Sequence, residues 1–117
     1  MEATIYEKAA GAIGTFLERR GYDIIERGWA HGSDRVDYIA LEGGDLVFIK
    51  SMVCEGSEGG FPEEDESCRE SLERLAAAYL EHYDNGDCTV RFDFVSVMVL
   101  GDSRGFLRLH RNALSAL

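Results

Sequence analysis

Gly43-Gly44 lies between two runs of strand-forming residues, 34–41 and 45–53. A glycine pair between such runs marks a tight two-residue hairpin. The second run carries Leu46-Val47-Phe48-Ile49 with no polar break, and a strand of that composition needs apolar cover on both faces. A chain holding such a hairpin is committed to a sheet with a layer above it and a layer below.

The rest of the sequence supplies those layers. Ile5, Ala9, Ala12, Ile13, Phe16 and Leu17 recur at helical spacing, with Thr4-Ile5-Tyr6-Glu7 as a capping box and Gly21 as the stop. This predicts a helix over 3–20. A first strand is expected over 22–29 around Ile24 and Ile25, with Trp29 in core or sheet-edge packing. Residues 54–66 hold Gly56, Gly59, Gly60, Pro62 and six acids, which reads as a loop. Its run Glu63-Glu64-Asp65-Glu66 is solvated charge at a helix start rather than a cation site.

Ser67-Cys68-Arg69-Glu70 forms a second capping box, and Leu72, Leu75, Ala76, Tyr79, Leu80 and Tyr83 form the stripe of a second helix. Asn85-Gly86-Asp87 ends it. Strands follow over 90–100 and 105–110, and Asn112-Ala113-Leu114 starts a C-terminal helical turn. The order α-β-β-β-α-β-β predicts a mixed sheet flanked by helices in one α/β domain over 1–117.

At 117 residues the chain suits a single core. No apolar run approaches the roughly 20 residues of a membrane span, and the first residues do not read as a secretory signal. A cytoplasmic protein without a membrane partner is expected. Cys54, Cys68 and Cys88 have neither disulfide nor zinc-ligand spacing and are expected as free thiols. The net charge of −10 sets the chain at a disadvantage for nucleic acid, whose affinity comes largely from Lys and Arg displacing counterions.

Several segments in order resemble one family. They are Phe16 to Ile25, Val36-Asp37-Tyr38-Ile39-Ala40, Asp45-Leu46-Val47-Phe48-Ile49, Val90-Arg91-Phe92-Asp93-Phe94-Val95 and His110-Arg111-Asn112-Ala113-Leu114. Over about 100 residues they are similar to the YraN-type group of small bacterial proteins. The resemblance implies a restriction-endonuclease-like fold and, for members with intact motifs, a metal-dependent nuclease with Gly-Glu-X-Asp on the second strand and Glu-X-Lys on the third. Such carboxylates hold Mg²⁺ against the scissile phosphate, and the lysine serves the attacking water.

Carried onto this chain, that set survives only at Asp37. Asp34-Arg35 replaces Gly-Glu, while Lys50 and Met52 replace the Glu and Lys of the third strand. Ala10 stands where the first helix often carries an acid. Two carboxylates exchanged for two cations move the local charge from about −2 to +2, with each pair worth roughly 4 kcal/mol at about 4 Å and an effective dielectric near 20. A dication would be repelled. Asp37 is then expected to pair with Lys50 or Arg35.

Three functions stay open on this basis. The preferred one is a non-catalytic interaction or scaffold protein with a protein partner and no cofactor. The second is a nucleic-acid-binding module without catalysis, using Arg104, Arg108, His110 and Arg111 near the C-terminus and the group Arg19, Arg20 and Arg27, with Arg35 and Lys50 on phosphate. The third is a divergent endonuclease with Mg²⁺ or Mn²⁺ at a relocated site around Asp37, drawing on Asp93 and the acids of 54–66. Asp93 otherwise belongs to the strand signature as a structural residue.

Overall fold

A computed structural model describes residues 5–55, 66–83, 88–100 and 104–112. Helix α1 spans Ile5–Arg19, strands β1 to β3 span Asp23–His31, Asp34–Glu42 and Asp45–Glu55, helix α2 spans Glu66–Leu80, and β4 and β5 span Thr89–Leu100 and Arg104–His110. The strands form one sheet in the order β1-β2-β3-β4-β5, antiparallel throughout except for the parallel β3–β4 pair. This is a mixed α/β sheet flanked by two helices, consistent with a restriction-endonuclease-like fold. No helix among the described residues is long and apolar enough to cross a membrane.

Each helix covers one face. Ile13 and Leu17 of α1 pack with Tyr38, Ala40, Val47, Ile49, Val95, Val97 and Val99. Leu72, Leu75 and Ala76 of α2 pack with Val36, Ile39, Leu46 and Phe48 on the other face. Residues 46–49 therefore alternate between two cores, which is why the run carries no polar residue. Ala12 is exposed and falls outside the α1 stripe. Leu80 is the exposed last residue of α2, and Tyr83 lies beyond it, stacked on Tyr79.

The end of α1 is closed by two backbone bonds, Tyr22 N–H to the Leu17 carbonyl and Gly21 N–H to that of Glu18, both 3.1 Å. This is a Schellman cap, and Gly21 takes the left-handed φ of 92° it needs. Gly43 and Gly44 have φ of 58° and 90°, as a type I′ hairpin turn requires, and close the Glu42–Asp45 pair.

Strand β1 runs to His31, past the expected end at 29, because His31 pairs with Asp34 across a tight turn. Strand β3 runs on to Glu55, so 54–55 are strand rather than loop. Trp29 packs edge-on against Tyr79 and stacks with the exposed His31. Cys88 is a half-buried free thiol. The Thr4 cap, the acidic run 63–65, Asn85-Gly86-Asp87 and Ala113-Leu114 lie outside the described residues, as do the side chains of Cys54, Ser67, Cys68 and Arg104.

Candidate functional site

Strands β2 and β3 pair from Glu42–Asp45 up to Tyr38–Ile49, and beyond that point they part. In the resulting fork a side chain replaces the ladder: the Ser51 N–H donates to the Asp37 carboxylate at 2.7 Å. The Lys50 ammonium donates to the Arg35 carbonyl at 2.9 Å. Neither contact is the expected ion pair. Among the described residues Asp37 makes no ion pair, and its carboxylate is bonded to the Ser51 N–H in the gap where strand pairing stops.

Strand β2 also changes faces at Asp37. Val36 lies in the α2-side core and Tyr38 in the α1-side core, although they are two positions apart. A regular strand would put both on one face. The neighbouring β1 has Gly28 at this level, between the Arg27–Tyr38 and Trp29–Val36 pairs, with φ of 63°. That conformation costs a residue with a Cβ but not glycine.

The fork opens into a cavity of about 280 Å³ beneath α1, lined by Ala10, Ile13, Arg27, Gly28, Arg35, Asp37, Tyr38 and Ser51. The Tyr38 hydroxyl donates to the Ala10 carbonyl at 3.1 Å, and burial pushes its pKa up. Lys50 and Met52 do not line this cavity. Leu46 and Phe48 face α2, so alternation carries residues 50 and 52 to that same side while Ser51 faces Asp37. Of the expected site residues, Arg35 and Asp37 meet; Lys50 reaches the fork only through the Arg35 backbone.

The C-terminal bases are dispersed among other tasks. His110 bonds Ser96 Oγ at 3.2 Å and packs on Phe94. Arg111 is paired with Glu42 at 2.7 Å, and Arg108 is exposed on β5.

A second charged cluster lies at the other end of β2. Arg91 makes ion pairs with Glu42 at 2.8 Å, Asp45 at 2.8 Å and Asp93 at 2.9 Å. Asp93 is fully buried and also accepts from the Tyr22 hydroxyl at 2.6 Å and the Asn112 N–H at 2.8 Å. Burial and the bond to Asp93 hold the Tyr22 pKa well above the usual tyrosine range. For Arg91, burial favours the neutral form, but hydrogen bonds to Asp93 and Glu42 outweigh it and hold its pKa above normal. Asp93 is thus tied up in structural contacts. Arg27, Tyr38 and Ser51 are not positions of the metal motif; the face switch that gathers them lies beside Gly28, a glycine inside a strand with a positive φ.

The fork offers one carboxylate beside two guanidinium groups, and no group of three or more His, Cys, Asp or Glu suited to a metal occurs among the described residues.

Fold and fork together define a small α/β protein whose sheet parts around a single aspartate. Residues 6–97 match the model of the uncharacterised protein family UPF0102. A UPF0102 protein of Symbiobacterium thermophilum is 35% identical over 118 residues, covering 99% of this chain and 100% of that one. One from Chlorobium phaeobacteroides is 31% identical, covering 80% and 76% respectively, and one from Roseiflexus castenholzii is 34% identical over 72% and 70%. The chain belongs to the UPF0102 family, the YraN-type group.

Proposed function

We propose that this chain is a non-catalytic member of its family, keeping a nuclease-like scaffold as an interaction module for a protein partner. The observation that carries the reading is the charge at the fork: Arg27 and Arg35 share the cavity with Asp37, its one carboxylate. Two cations beside one anion repel a dication, and one carboxylate supplies too few oxygens for Mg²⁺. The surplus of acids, −10 overall, favours a protein over a nucleic acid as partner. A second reading, nucleic-acid binding without cleavage, is favoured by the two cavity arginines, which suit phosphate.

Calorimetric titration with Mg²⁺ and Mn²⁺, alongside cleavage assays on duplex and branched DNA, tests the loss of catalysis. The expected outcome is no binding heat and no cleavage. Metal-dependent cleavage abolished by Asp37→Ala would overturn the reading and restore a relocated nuclease site.

A further inference from the structure

Two arginines stand out against the charge pattern of the whole molecule. Acids outnumber Lys and Arg by 22 to 12, and Arg69, Arg74, Arg91 and Arg111 all hold carboxylates. Arg27 and Arg35 hold none among the described residues, yet both line the fork cavity. Each guanidinium rests against a glycine. A Cβ on Gly14 would lie 2.9 Å from Arg27 Nη1, and one on Gly28 would lie 3.0 Å from Arg35 Nη2. The Arg27 guanidinium also lies 5.7 Å from the centre of the Tyr38 ring. The two glycines therefore leave room for the two guanidinium groups at the cavity wall.

We infer that this cavity is a metal-free oxyanion site that receives a single carboxylate from a protein or peptide partner. The inference rests on the non-catalytic reading above and names the chemistry that its site recognises. Arg27, Arg35 and Asp37 give the lining a net charge of +1, and the Asp37 Oδ2 is already taken up by the Ser51 N–H. A monoanion neutralises that charge. The planar fork of a guanidinium matches the two oxygens of a carboxylate and also those of a phosphodiester. Between the two, the acidic body of the protein decides: a polyanionic backbone would be repelled along its length, whereas one carboxylate is not. The volume, about 280 Å³, is at the small end for ligand cavities and suits one side chain or chain terminus.

The test compares two monoanions of different shape, acetate and dimethyl phosphate, titrated at low ionic strength and followed by amide NMR. Acetate should give saturable shifts at Gly28, Arg35 and Ser51. Arg35→Gln and, independently, Arg27→Gln should weaken it at least tenfold while amides outside the cavity keep their positions. Arg69→Gln on α2 should leave acetate binding unchanged. Absence of saturable shifts with acetate overturns the inference, and tighter binding of dimethyl phosphate overturns its assignment to a carboxylate partner. A separate Mg²⁺ titration keeps the two claims apart. Mg²⁺-induced shifts at Asp37 accompanied by DNA cleavage would sink the non-catalytic reading, whereas failure of acetate alone, without a metal response, sinks only the carboxylate site.

Discussion

The two ends of β2 carry charge in opposite ways. At the Glu42 end, three carboxylates close around Arg91, and the innermost, Asp93, is buried with every contact made inside the protein. At the Arg35 end, two arginines stand beside a cavity whose single carboxylate, Asp37, is held by a backbone N–H. Buried charge persists only when it is paired and hydrogen-bonded, so the first cluster serves the fold. Exposed charge without a partner does little for stability, so the second is where an external ligand can act. The same strand secures the fold at one end and carries the proposed ligand site at the other.

Removing one arginine from each end is the sharpest way to break this contrast. Arg91→Met leaves Asp93 buried without its cation and should cost about 3–5 kcal/mol in chemical denaturation. Arg35→Met should change stability by no more than about 0.5 kcal/mol, since the residue is exposed. Equal losses at the two positions would erase the distinction.

A smaller effect concerns the start of β2. Arg74 of α2 grips Asp34 through two bonds of 2.7 and 2.8 Å and lowers its pKa from 3.8 to about 2. Because the folded value lies below the unfolded one, this contact stabilises fully above the ordinary carboxylate range. Its contribution fades as pH falls from about 4 towards 2. Asp34→Asn should flatten that part of the acid limb of the stability curve, and added salt should shrink the difference between the two proteins.

Much of the architecture was legible because local signals agreed with the tertiary result. Gly21 and Gly43-Gly44 adopt the left-handed conformations their positions suggested, and the apolar run 46–49 is covered on both faces as its composition demands. The candidate site was legible only in part. Asp37 and Arg35 were found as motif positions, and Arg27 only as one of a basic group with Arg19 and Arg20; Ser51 was not found, since regular alternation gives no warning of a strand that changes faces at Asp37. The expected Asp37 ion pair failed for a related reason: where two strands part, unsatisfied backbone N–H groups compete for a carboxylate, and Ser51 won. The Arg91 cluster joins residues far apart in the chain, and only Arg91 and Asp93 carried a local signature.

The parallel pairing of β3 with β4 also bears on the order of assembly. Strands β1 to β3 are joined by tight turns, whereas Asp45 must wait for Thr89 to emerge and for α2 to cross the sheet before the central seam can zip. Closing so long a stretch of chain is slow compared with hairpin formation. Arg91 sits at the beginning of that seam and clasps Glu42 and Asp45 from the opposite half. It is placed to fasten two separately formed pieces at the moment they meet.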